Sequence, residues 1–390
     1  MALSSGQPHA GSLPTSEISD AFARTASSLS LSPSPLNYGE NAGDGLLPVL
    51  ADWISSECAS DELPPNTSAA SNLCRPENLF ITSGVSHSIE LVVRSLSKPP
   101  STWERKPIVG MERPSYFLAS KIFRSNNQKV IGLPMKITDD GRSSIIDLTA
   151  LEAVNPKPDF IYVITSHQNP TGSSYPLEEK MLLLDFAERH DIMIIADEVY
   201  HSLDYRSCSN YSQTDVPPRR SARMSAFHSD NAISVSSFTK IFSPGVRVGW
   251  IEATEKVISQ VDQYGYIVSQ GGVAPLMGEI MKNVILSGGL DDQLSNLKED
   301  YKNRVTIISS KIDASPEIEI VFRPLGGYFL WIRFLHLKDD DDFEKFCSEL
   351  KESEGVTVLP SFRCDDNDDA FESTAANLLL KNTARICFAR

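Results

Sequence analysis

The chain lacks the features that mark several large classes of protein. No apolar stretch approaches the roughly 18 residues needed to span a bilayer, so a membrane protein is not expected. The start, Met1-Ala2-Leu3-Ser4-Ser5-Gly6, has no basic n-region and no apolar h-region, which argues against a secretory leader. Positive charge is scarce, with 36 Lys and Arg against 51 Asp and Glu and a net charge of −15. A surface of that sign repels phosphate-rich partners, so neither nucleic acid nor an anionic membrane is expected as one. Cysteine is sparse and scattered. Cys58, Cys74, Cys208, Cys347, Cys364 and Cys387 form no C-x-x-C pair and have no histidine cluster beside them. No metal site is expected, and reduced, mostly buried thiols in a cytoplasmic protein fit best. Internal repeats are absent.

What is present suits one large domain and one smaller one: 390 residues, 41% hydrophobic and 22% charged. Residues 1–36 are rich in Ser, Pro and Gly and read as an irregular arm. Helical spacing of apolar residues appears over Pro48–Ser56, and more strongly over Ser83–Leu96, where Val85, Ile89, Val92, Val93 and Leu96 share a stripe. Short apolar runs then alternate with helices. Pro107–Gly110, Lys129–Leu133, Phe160–Ile164, Ile192–Ala196, Ala232–Val235 and Val246–Ile251 read as strands buried on both faces, and Leu177–Arg189 as an amphipathic helix started by Pro176. This alternation predicts an α/β fold with a mostly parallel sheet and helices on both faces. Ser207–Asp230 reads as a surface excursion, in which Arg219 and Arg220 are solvated loop charges or, less simply, an anion contact. From Glu255 to Ile312 the pattern is helical and leads into a smaller α+β domain. That domain has a strand pair within Ile318–Arg333, a helix over Asp342–Lys351, and strands at Val356–Leu359 and Ala384–Phe388. The acidic runs Asp339–Asp342 and Asp365–Asp369 read as solvated turns. The expected division is an arm of 1–36 belonging to the small domain, a large domain of 37–290 and a small domain of 291–390.

Four segments carry chemistry. Ser237-Phe238-Thr239-Lys240 follows a strand, so Lys240 sits at a turn on the carboxyl edge of the sheet, where ligands of open α/β sheets bind. A desolvated lysine there has a lowered pKa and a neutral amine that can form an imine with an aldehyde. Ser237 and Arg247, three before and seven after it, can reach one phosphate. Asp197 ends another strand in Ala196-Asp197-Glu198-Val199-Tyr200. A buried carboxylate there needs a cation, and a protonated pyridine nitrogen is one. Tyr200 can donate to a phenolic oxygen or be an ordinary core tyrosine. In Ser166-His167-Gln168-Asn169-Pro170-Thr171-Gly172, Asn169 can donate to the same oxygen, and His167 reads as a structural neighbour rather than a base. Thr82-Ser83-Gly84-Val85-Ser86-His87 opens a helix whose free amides form an anion site.

In their order and spacing these segments resemble the fold-type-I pyridoxal-phosphate (PLP) enzymes of the class I/II aminotransferase family. The interval of seven from Lys240 to Arg247 resembles the aminoadipate/kynurenine aminotransferase branch. The resemblance runs from about Gly6 to Arg385. It implies a Schiff base between PLP and Lys240, which later shuttles the proton. It places Asp197 on the pyridine nitrogen, and Asn169 and Tyr200 on the ring oxygen. Ser237, Arg247 and the amides of Val85 and Ser86 would hold the phosphate. Tyr116, in Arg113-Pro114-Ser115-Tyr116, would stack on the ring, Arg385 would clamp the substrate α-carboxylate, and Gly6 would line that pocket. Tyr38 would reach the partner's phosphate across a homodimer. The implied reaction moves an amino group from an α-amino acid to a 2-oxo acid. The alternatives are a carbon–sulfur (β-elimination) lyase, an inactive scaffold, and the aminotransferase-like half of a DNA-binding regulator, which the acidic charge disfavours. Two departures stand out. Leu359-Pro360-Ser361-Phe362 carries serine where relatives have a glycine loop, expected to reshape the pocket beside the substrate side chain. The sequence also ends five residues past Arg385, where relatives continue through another helix.

Overall fold

The structure, a computed structural model, describes residues 3–38, 45–65, 73–97, 104–208, 219–337, 340–371 and 373–390. The first seven strands of its main sheet are β1 (Leu79–Thr82), β2 (Ile108–Met111), β3 (Lys129–Gly132), β4 (Phe160–Val163), β5 (Met193–Asp197), β6 (Ala232–Ser237) and β7 (Gly249–Glu252). Downstream come β8 (Ile318–Phe322), β9 (Phe329–Phe334), β10 (Leu359–Pro360), β11 (Asp369–Ala370) and β12 (Thr383–Cys387). The main sheet has the order β1-β7-β6-β5-β4-β2-β3-β11, and a four-stranded sheet has the order β8-β9-β12-β10. In the main sheet only β7 runs against its neighbours. The carboxyl ends of β1, β4, β5 and β6 therefore lie along one edge, and all four chemistry-bearing segments follow those ends.

The apolar runs form central strands because both of their faces are covered. Phe160 and Tyr162 of β4 pack into one core while Ile161 and Val163 pack into the other. Helices α1 (Thr15–Leu29), α2 (Val85–Leu96), α3 (Phe117–Ser125), α4 (Leu177–Arg189), α5 (Pro275–Leu286) and α6 (Gly289–Asp313) supply the cover, together with the helix Leu46–Glu57 and shorter pieces. In α4 the buried side, Leu177, Lys180, Leu183, Leu184, Phe186 and Ala187, follows the 3.6-residue period. No helix among the described residues is long and apolar enough to cross a membrane.

Several expectations change. Residues 1–36 are not irregular throughout: α1 takes fifteen of them. Its Ala- and Ser-rich sequence has few large apolar side chains, its buried positions are the small Ala21 and Thr25, and α1 lies against α5. Helix α3 was hidden between two strands. The predicted strand Val246–Ile251 begins only at Gly249, because residues 244–246 make a 3-10 turn and Arg247 takes φ +50°. Arg220 is no solvated loop charge, since it pairs with Glu57 and Asp61. The run Asp365–Asp369 is not a free turn either, because its last residue enters β11 and pairs with β3. Residues 209–218, ten of the 24 in the predicted surface excursion, and Asp339 of the other acidic run lie outside the described residues.

Candidate active site

Lys240 lies in the short helix Phe238–Ile241 that follows β6, capped by the Ser237 hydroxyl accepting from Thr239 N. Its amine donates to the Gly6 carbonyl at 2.7 Å and faces the rings of Tyr328 and Tyr200 at 5.2 and 6.0 Å. Burial, with Arg385 nearby, brings its pKa down to about 8, so a sizeable neutral fraction exists near physiological pH. Asp197 ends β5 with its carboxylate buried. Tyr162 donates its hydroxyl to Asp197 Oδ2 at 2.7 Å, and Val199 N lies 3.4 Å from Oδ1. Among the described residues no arginine or lysine forms an ion pair with Asp197. Burial raises its carboxyl pKa to about 6, with Lys240 acting on it at longer range. Such a group is short of one cation, and a pyridinium nitrogen would meet that need. Tyr162 was missed in the sequence. Its signal was a polar-tipped tyrosine inside an apolar strand, whose hydroxyl needs a buried partner.

Arg385, in β12, stacks over the Phe329 ring with its guanidinium carbon 4.2 Å from the centroid. It donates to Asn169 Oδ1 at 2.7 Å and to the Ser4 carbonyl at 2.5 Å, while its buried Nε has no protein partner. An unfilled donor on a buried guanidinium fits an incoming carboxylate. The arm reaches this point because Leu3 O accepts from Cys387 N and His9 N donates to Ala389 O. Space beside Gly6 is tight: a Cβ would stand 3.0 Å from the Phe329 ring, which would have to give by a few tenths of an ångström. Tyr200 is buried against Tyr328 and Phe329. Burial raises the Tyr116 hydroxyl pKa, and Asp197 adds to the rise, which sets Tyr116 on the same cleft.

At the other end, Gly84 takes φ +107° and begins α2 without a side-chain cap. The first helical bonds run from His87 and Ser88 N to Gly84 O, so helix geometry leaves the amides of Val85 and Ser86 outside the ladder. Arg247 folds over this terminus and donates to Ser83 O at 2.8 Å. Gly249 makes the assembly possible, since a Cβ there would lie 2.7 Å from Gly84 Cα and 2.9 Å from Ser237 Cβ. Helix terminus, hydroxyl and guanidinium thus converge as a phosphate needs. Tyr38 stands out from the other candidate site residues because it is 85% exposed. Ser361 is buried, and its hydroxyl donates to Leu380 O at 2.6 Å. His167 is buried beside Asp204, at 3.5 Å, and Gly326 and Gly327 press on it, as a structural residue would be.

Below the site lies a second set of ionisable groups, and these are paired. His201 bridges Ser166 at 3.0 Å and Asp61 at 2.9 Å, and Arg220 donates to Asp61. Burial opposes the Asp61 charge, but His201 and Arg220 outweigh it and hold the carboxyl at about 2. Cys58, Asp61 and His201 are close enough together to suggest a metal site, yet the Arg220 guanidinium already supplies the cation, with Nη2 3.6 Å from Cys58 Sγ. Lys180 donates to Ala222 O at 2.8 Å and lies 3.9 Å from Glu198, and burial lowers its pKa to about 8 as well. A concavity of about 1360 Å³ is lined by Gly172, Arg323 and their neighbours, and neither Lys240, Asp197 nor Arg385 lines it. Size alone does not mark the chemistry.

Residues 56–390 match the family described as aminotransferase class I and II. Among curated proteins, the chain is 26% identical to the HTH-type transcriptional regulator NorG of Staphylococcus aureus over 92% of its own length and 73% of that protein. It is 27% identical to the 2-aminoadipate transaminase of Thermus thermophilus over 66% of its length and 60% of that protein. Its fold matches the multiple substrate aminotransferase of Thermococcus profundus with a TM-score of 0.74 at 20% identity. It matches the Thermus thermophilus α-aminoadipate aminotransferase LysN with a TM-score of 0.71 at 22% identity. Both structural matches cover 100% of the chain, with 86% and 87% of the respective relatives.

Proposed function

The chain belongs to the aminotransferase class I and II family of PLP-dependent enzymes, and from that premise we propose that it moves the amino group of an α-amino acid to a 2-oxo acid through Lys240. The observation that carries this reading is the convergence of the Lys240 amine, the Asp197 carboxyl and the Arg385 guanidinium at one sheet edge. PLP supplies an aldehyde for a neutral lysine amine to capture and a pyridinium ring that stores electrons from the substrate Cα. Asp197 would keep that ring nitrogen protonated. Asn169 and Tyr200 would hold the ring oxygen and Tyr116 the ring face. Ser237, Arg247 and the amides of Val85 and Ser86 would hold the phosphate. Arg385 would fix the substrate carboxylate, with Gly6 lining that pocket, and Lys240 Nζ would carry the proton to and from Cα.

The exposure of Tyr38 supports a two-fold dimer in which it serves the neighbour's phosphate, and the two sites would then be completed together. Cytoplasmic residence belongs to the same reading. So does the division into arm 1–36, large domain 37–290 and small domain 291–390, with β11 lent to the large sheet. A carbon–sulfur lyase would use the same first contacts, so the test is a half-reaction without 2-oxo acid. An aminotransferase stops after one equivalent of product, with the cofactor left in its amine form. A lyase given a β-thioether amino acid continues to release ammonia, and that result would overturn transamination.

A further inference from the structure

The acidic run 365–369 is built into the molecule as a clasp. Asp365 meets Arg113 through two parallel hydrogen bonds, Nε to Oδ1 at 2.7 Å and Nη2 to Oδ2 at 2.6 Å. Arg113 Nη1 donates to Phe371 O at 3.0 Å, and Ser115 N donates to Cys364 O at 2.8 Å. Cys364 sits in a small buried cluster with Trp331 and Leu359, against which Phe117 packs. Tyr116 is therefore flanked on both sides by residues tied to the 359–371 segment. The Arg113 stem can take this path because residue 132 is glycine: a Cβ there would lie 2.5 Å from Arg113 Cδ. Further along the run, Arg124 pairs with Asp366 and Asp368 at 2.9 and 2.8 Å, and Lys129 pairs with Asp369 at 2.5 Å. These contacts differ in kind. The Arg113 and Asp365 side chains are 10% and 17% exposed, whereas those of Lys129 and Asp369 are 44% and 66% exposed. A sheltered bidentate pair fixes geometry, and a solvated single contact contributes little.

We propose that Asp365 is a positioning residue for the aromatic face of the site: through Arg113 and the Cys364 carbonyl it holds Ser115-Tyr116-Phe117 where Tyr116 can stack on the cofactor ring. The role rests on the reading of Tyr116 given above. Stacking depends on an offset of rings within a narrow distance range, so a small drift of this segment loosens the cofactor without touching Lys240 or Asp197.

The test compares Asp365→Asn with Asp369→Asn, which weakens the same clasp at its exposed end. In the apoprotein, backbone hydrogen exchange of the peptide covering Ser115–Phe117 should be about tenfold faster in Asp365→Asn, since loss of a charged contact frees roughly that factor, and unchanged in Asp369→Asn. With PLP added, Asp365→Asn should bind it about 5–10-fold more weakly and lose visible circular dichroism of the bound cofactor, while Asp369→Asn should match the parent. If Asp365→Asn does not fold, Arg113→Lys keeps the charge but not the fork, and should give the same changes at smaller size. Unchanged exchange at 115–117 would overturn the positioning role whatever PLP does, as would equal effects from both Asp variants. A parent protein that takes up no PLP would instead overturn the reading of the site itself.

Discussion

Lys180 and Lys240 make an instructive pair. Burial lowers both to about pKa 8, yet they occupy different regions. Lys180 lies in the paired layer, fully enclosed, with Glu198 and the Ala222 carbonyl as neighbours. Lys240 is half-buried, its amine donating to the Gly6 carbonyl of the arm, near a carboxyl that has no ion-pair partner among the described residues. The contrast repeats in the adjacent residues Asp197 and Glu198. Glu198 is satisfied by Thr165 and Met224 N, whereas Asp197 has only hydroxyl and amide donors. A shifted lysine alone does not mark a reactive centre. Unpaired charges facing a common opening do.

The largest effect that can break this comparison is on the lysines. Lys240→Ala should abolish the visible band of bound PLP and reduce turnover by more than the roughly 10²–10⁴-fold ascribed to acid–base help alone. Lys180→Met should keep the band. Next comes Arg385→Ala, where losing a two-point carboxylate contact worth about 3 kcal/mol should lower kcat/KM about 100-fold, chiefly for substrates bearing an α-carboxylate.

The unpaired charges should also show in the stability of the apoprotein. Asp197 titrates near 6 in the fold against 3.8 as its ordinary value, so the folded state binds more protons between those values. Stability should fall as pH rises through that window. Lys240 titrates near 8 against 10.5, the unfolded chain binds more protons there, and stability should rise from pH 8 to 10.5. Asp197→Asn should flatten the acid slope and gain about 1–2 kcal/mol at pH 7, while impairing catalysis. Lys240→Met should flatten the alkaline slope. Denaturant unfolding across pH checks both. The smallest effect is that of Tyr162→Phe, which removes one hydroxyl from Asp197 and should weaken PLP binding by less than tenfold.

Much of this was legible in the residues. β4, β5 and β6 read as strands because both faces are apolar, and the strand-end placement of Asp197, Asn169 and Lys240 followed. Interactions joining distant parts of the chain were not legible. Nothing in Asp365-Asp366-Asn367-Asp368-Asp369 names Arg113 and Arg124, some 250 positions earlier, as its partners, so a solvated turn was the simplest reading. Arg220 failed likewise, because its acceptors Glu57 and Asp61 lie far upstream. Helix α1 was lost for a local reason. Its Ser and Ala content leaves few large apolar side chains to mark a helix, and α5 provides the surface it packs against.

Lys240, and not the equally shifted Lys180, is proposed to hold the cofactor. Borohydride reduction of the PLP-loaded protein followed by peptide mass mapping tests this directly. One cofactor-bearing peptide is expected, containing Lys240, and none in Lys240→Ala. Label on Lys180, or spread over exposed lysines with Lys240 unmodified, would contradict it.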